Sequence, residues 1–123
     1  MLKQLAAVCC AALLVACATS SAPPVKVTAG VLVTGSGMTL YTFDKDAPGS
    51  GKSNCNGQCA VTWPPLMAGS GAKPVGDYTL VPREGGGQQW AYKGKPLYTY
   101  IADQSPNDMR GKGMNGVWQV ATQ

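Results

Sequence analysis

The residues able to do chemistry fall in a spaced pattern. Tyr41, Phe43 and Asp46 stand as Tyr-x-aromatic-x-x-Asp, and Tyr98, Tyr100 and Asp103 repeat that spacing. Asp44 and Asp108 lie beside the two copies, and Cys55 and Cys59 lie between them. Carboxylates on glycine-rich loops can hold calcium. Paired carboxylates can do acid–base work. Two thiols can carry redox chemistry or contribute to a zinc site. Each feature also has a plainer reading. An aspartate at the end of a strand accepts hydrogen bonds from turn N–H groups and closes the strand.

The spacing belongs to a longer repeat. Residues 37–46 and 94–103, offset by 57, share Gly37/Gly94, Leu40/Leu97, Tyr41/Tyr98, Thr42/Thr99 and Asp46/Asp103, with an aromatic at Phe43/Tyr100. Six matches in ten positions mark an internal duplication. Aromatic and β-branched runs of this kind favour strands, in which side chains alternate between faces. Tyr41 and Phe43 therefore share one face, as do Tyr98 and Tyr100. Val25 to Thr34 is expected as a strand turned by Gly35-Ser36-Gly37 into Met38 to Phe43. Gln88 to Tyr92, the turn Lys93 to Pro96 and Leu97 to Ile101 repeat the device. Asn54 is expected to cap a short helical turn ending before Trp63, since Pro64-Pro65 cannot continue a helix. Tyr78 to Pro82 and Val117 to Ala121 are further strands, with Trp118 and Val120 on one face. Sixteen glycines and nine prolines favour many turns over long helices. The expected fold is all-β: a small single domain of two hairpin-containing repeats, pseudo-twofold, with at most a short helical turn near the cysteines. Trp63, Trp90 and Trp118 are expected to be core aromatics.

Tyr41-Thr42-Phe43-Asp44-Lys45-Asp46, its second copy, the segment Ser53 to Ala60, Trp63-Pro64-Pro65-Leu66 and the closing Gly116-Val117-Trp118 together resemble the bacterial secreted lipoproteins with a repeated Tyr-x-(Phe/Trp/Tyr)-x-x-Asp motif, a secreted repeat of unknown function. The resemblance covers roughly residues 30–121. It implies an exported location and a duplicated architecture, and no activity. Relatives often carry histidine or another aromatic just after the closing tryptophan. Gln119 stands there in this chain, which counts against a metal site built on that neighbour.

The amino terminus agrees with export. Lys3 precedes the apolar run Leu5 to Ala16, which is too short to span a membrane and fits a signal peptide. Leu14-Val15-Ala16-Cys17 resembles a lipobox, which makes 1–16 a lipoprotein signal peptide and Cys17 the lipidation site. Ordinary secretory cleavage after Ala18 or Ala22 is the alternative. Residues 17–24 then form a lipidated tether and 25–123 the β domain, with repeat 1 at about 30–66 and repeat 2 at about 87–121. Ala18 after the cysteine gives no inner-membrane retention signal, so the outer membrane is the expected address in a Gram-negative host. Of five cysteines, Cys9 and Cys10 leave with the signal peptide and Cys17 takes lipid. Cys55 and Cys59 remain, in an oxidising compartment, and are expected to form a disulfide.

The net charge is +4, with basic residues scattered rather than clustered. Nucleic acid is therefore a poor partner; the membrane, an envelope protein or a surface polymer is a better one. No cofactor is expected. With no histidine and six acids, no nucleophile–base pair stands out, and a non-enzymatic envelope binding module is the first expectation. The alternative is a metal-binding envelope protein. Asp44, Asp46, Asp103 and Asp108 are its calcium candidates. Copper, through Met109 and Met114, is the weaker choice.

Overall fold

The computed structural model describes residues 22–123. The expected signal peptide and Cys17 lie outside them. The chain forms β1 (Val25–Thr28), β2 (Val31–Thr34), β3 (Tyr41–Phe43), α1 (Gln58–Thr62), β4 (Tyr78–Pro82), β5 (Gln88–Tyr92), β6 (Lys95–Pro96) and β7 (Trp118–Val120), with a 3-10 turn at Met114–Gly116. Strand pairing is antiparallel throughout: β1 with β2, β3 with β7, and β4 with β5 and β6. The fold is the small all-β domain that the sequence implies.

Three local expectations need correction. The first is the strand from Val25 to Thr34, which is itself a hairpin. Ala29 and Gly30 take φ of 49° and 80°, the paired positive values of a two-residue turn, and bring Thr28 opposite Val31. Alanine rarely occupies that conformation, which hid the turn. The second concerns Asn54, which does not cap the helix. Gly57 occupies the N-cap with no side-chain bond. The Asn54 side chain instead donates to the Lys45 carbonyl oxygen.

The third is the strand expected over Leu97 to Ile101, which reduces to a bridge at Tyr98. In the first copy Tyr41 and Thr42 lie opposite Val120 and Gln119 on β7. In the second copy Tyr98 lies opposite Pro65, and the Thr99 N–H donates to the Pro64 carbonyl. Prolines have no N–H to return, so half the ladder is missing there.

The halves are built by exchange. The Leu32 N–H donates to Ala121 O and the Ala121 N–H to Leu40 O, at 2.9 and 2.8 Å. The counterpart bonds run from Trp90 N–H to Leu66 O and from Leu66 N–H to Leu97 O, at 2.8 and 2.9 Å. The closing segment of each repeat thus completes the hairpin of the other. At the centre Tyr41 and Tyr98 exchange backbone bonds of 2.8 and 2.9 Å, so equivalent residues pair with each other. That is the signature of a twofold relation.

Alternation along the central strands separates two cores. Tyr41, Tyr98, Trp63, Trp118 and Cys55 form one, and Leu32, Leu40, Leu97 and Ala121 form the other. Trp90 is buried as expected but packs edge-on to Tyr78, away from the other two tryptophans.

Candidate functional site

The repeated motif assembles one structure at the twofold. Trp63 and Trp118 stack with centroids 3.8 Å apart and planes 7° from parallel. Phe43 continues the stack beyond Trp118 at 4.3 Å, and Tyr100 continues it beyond Trp63 at 4.2 Å. The order Phe43, Trp118, Trp63, Tyr100 puts a motif aromatic at each end and the two tryptophans inside. Tyr41 packs edge-on to Trp63, and Tyr98 packs edge-on to Trp118. Edge-to-face contacts and close ring packing of this kind add to plain area burial. Gly111 lets the stack close: a Cβ there would lie 2.6 Å from the Trp63 ring.

The phenols cross over. Tyr41 donates its hydroxyl hydrogen to Asp103 Oδ2 at 2.7 Å, and Tyr98 donates to Asp46 Oδ2 at 2.5 Å. Each aspartate serves the tyrosine of the other copy. Asp46 also accepts the Asn54 N–H and Asp103 the Arg110 N–H, at 2.6 and 3.0 Å. These donors lie beyond the turns Ala47-Pro48-Gly49 and Gln104 to Asn107 that the sequence points to. The phenol partner is not foreseen either, because spacing within one copy cannot reveal a contact between copies. Both aspartates are buried, and each of their oxygens has a hydrogen-bond donor. Burial first, and then the aspartate bond, push both phenols well above the usual value near 10. Each phenol therefore keeps its proton at neutral pH.

The turns cross over as well. The Gly49 N–H donates to Gly94 O, and the Asn107 N–H donates to Gly37 O. A side chain at Gly94 would meet the Gly49 nitrogen at 2.6 Å, and one at Gly37 would meet Pro106 at 3.1 Å. Every matched position of the repeat thus takes part in a buried core or a contact between copies, Thr42 by pairing with Gln119 and Thr99 by its bonds to Pro64 O.

One end of the site departs from the twofold. The Tyr98 hydrogen is engaged by Asp46, so Ser53, 2.6 Å away, donates to the phenol oxygen. Arg83 donates to Ser53 Oγ, to Gln89 Oε1 and to the Cys55 carbonyl, at 2.8, 3.1 and 2.9 Å. Gln89, fully buried, passes the chain on to Leu97 O at 2.7 Å. Two hydroxyls thus link a buried carboxylate to a half-buried guanidinium. The other end has the Gly111 N–H at 3.3 Å from the Tyr41 oxygen instead. Sequence reasoning missed Ser53, Arg83 and Gln89. The one available signal was the Gln88-Gln89 pair opening β5, the central strand of its sheet.

Cys55 and Cys59 form the expected disulfide beside this network. The remaining carboxylates lie apart. Asp44 is exposed and accepts from Gln119 at 3.1 Å. Asp108 closes a turn by accepting from the Gln104 and Ser105 N–H groups, which hold its carboxyl below the usual range. Among the described residues no three His, Cys, Asp or Glu side chains converge as a metal site.

Comparison with protein families matches residues 24–67 and 79–122 to a secreted repeat of unknown function. The chain belongs to this family. The two matched spans end just after Leu66 and Ala121, the residues that close the opposite hairpins, so the family's unit is the exchanged unit seen in the fold. Neither the curated proteins nor the solved structures contain a match. Among the described residues no helix is long and apolar enough to cross a membrane.

Proposed function

We propose that the protein is a lipid-anchored, non-enzymatic binding module of the bacterial cell envelope, tethered through Cys17. One observation carries the binding-module reading: the aromatic and acidic residues of each motif copy are engaged by the other copy. Asp46 and Asp103 each accept two donors, and both phenols hold their protons. The motif therefore acts as a scaffold, and recognition falls to the surfaces that it holds in place. Membership of a secreted family supports an address outside the cytoplasm. The lipid anchor rests on the Leu14–Cys17 sequence and would supply stable membrane attachment through two or three acyl chains.

Mass spectrometry of the mature amino terminus tests the anchor. A diacylglyceryl adduct on Cys17, and release of a Cys17→Ser variant from the membrane fraction, are the expected results. An unmodified end at Thr19 or Pro23 refutes the anchor. Crosslinking in intact envelopes tests the module. The expected result is a discrete envelope component crosslinked to surface positions, with labelling unchanged by calcium, copper or chelator. A chain that crosslinks to nothing, or only when metal is present, refutes it.

A further inference from the structure

Opposite the aromatic stack, a groove of about 360 Å³ opens between β7 and the β5–β6 turn. Its walls include Thr42, Tyr92, Lys93, Lys95, Gln119 and Thr122. Lys93 and Gly94 form a two-residue turn with positive φ values of 48° and 80°, and Lys95 follows it as the first residue of β6. That turn is pinned from two sides. The Lys93 N–H donates to Asp77 O, and Gly94 O accepts from the Gly49 N–H, each at 2.9 Å. A Cβ at Gly94 would strike Gly49, so the turn is packed against the opposite repeat. Two ammonium groups are thus presented from a fixed backbone. Both lysines are exposed, and among the described residues neither has a carboxylate within ion-pair distance. The Lys93 ammonium sits 5.3 Å from the centre of the half-buried Tyr92 ring.

No acidic side chain lines the groove. The inventory is two cations, two carboxamides (Gln119 and Gln123), two threonine hydroxyls, the Tyr92 phenol and the small apolar Val120 and Ala121. Cations attract a carboxylate, and carboxamides and hydroxyls bond sugar hydroxyls. No arginine fork is present, the group that favours phosphate in a planar bidentate grip. The volume lies at the lower end of the small-ligand range of roughly 300–1,000 Å³, room for a short saccharide stretch.

We propose that this groove binds acidic polysaccharide of the uronic acid type, with Lys93 and Lys95 holding its carboxylates. This assignment rests on the binding-module reading and names that module's ligand class. The test titrates the purified mature protein with an oligogalacturonate, following binding by calorimetry. Dextran is the neutral control and inorganic polyphosphate the phosphate control. Saturable binding that weakens with added salt is expected, with dextran silent and polyphosphate weaker. Lys93→Gln/Lys95→Gln should bind at least tenfold more weakly at an unchanged melting temperature. Lys26→Gln/Lys73→Gln, with the same charge loss elsewhere, should bind as the parent does. Failure of the parent to bind, equal binding of dextran, tighter binding of polyphosphate, or equal loss in both variants overturns the proposal. Envelope crosslinking of Lys93→Gln/Lys95→Gln separates the two readings. If it keeps the parent's partner, the groove assignment falls and the module reading stands.

Discussion

Tyr41→Phe removes one hydroxyl from the buried centre and keeps the ring that packs against Trp63. The lost bond is to a buried carboxylate, a class that contributes about 1.5–3 kcal/mol. Asp103→Asn keeps the shape and one oxygen but gives up the other, where each oxygen has its own donor, at a comparable cost of about 1.5–3 kcal/mol. The pair should not add. Once the phenol is gone, the substituted carboxamide has only the Arg110 N–H to satisfy, so the double variant should be little worse than either single one. The expected coupling is about 1.5–3 kcal/mol, against the ~0.3–0.5 kcal/mol scatter of independent sites. Urea unfolding with the disulfide intact measures all four corners of the cycle. A second cycle sharpens the test. Tyr41→Phe with Asp46→Asn joins residues of the same motif copy that share no hydrogen-bond partner, so these should add. Coupling within the copy, or additivity across copies, would refute the exchange of partners.

Further outcomes follow from the same geometry. Stability should fall in alkali. The folded-state values of Tyr41 and Tyr98 are raised, so their contribution is whole below the unfolded value near 10 and is lost as pH climbs toward the folded values. Two such groups give a slope of about −2.7 kcal/mol per pH unit above pH ~10, and phenolate absorbance from both should appear only with unfolding. Gly111→Ala forces a methyl into the Trp63 ring; a loss of about 1–3 kcal/mol is expected, with a weakened tryptophan exciton signal in circular dichroism. Reducing the Cys55–Cys59 disulfide should cost about 2 kcal/mol, since the loop it closes is short. Fragments 22–72 and 73–123 should be unfolded apart and should recover the native spectrum when mixed, read by circular dichroism. A fragment that folds alone would contradict the exchange of closing segments.

The duplication was legible because both copies must satisfy the same constraints. Gly94 needs a positive φ and has no room for a side chain, Leu40 and Leu97 are fully buried, and the Tyr and Asp positions bond one another. Alternation placed Tyr41 and Phe43 on the aromatic side and Leu40 on the other. Partner choice could not be read from spacing: in a near-symmetric molecule, self-pairing and cross-pairing leave the same pattern. The Ala29-Gly30 turn was hidden by an alanine where asparagine or glycine is usual. Arg83, Ser53 and Gln89 break the symmetry, so the repeat carried no trace of them. The groove was illegible for a related reason, since its walls come from segments far apart in the chain.

Interlocking also sets the timing of maturation. The Leu32 amide in the first hairpin waits for the carbonyl of Ala121, made long after it. A ribosome-bound or half-exported chain has no native mate for that hairpin, so closure belongs to the moment when both repeats are free. Such long sequence separation makes for slow folding, and a nascent chain that stays open is one that a secretion channel can still thread.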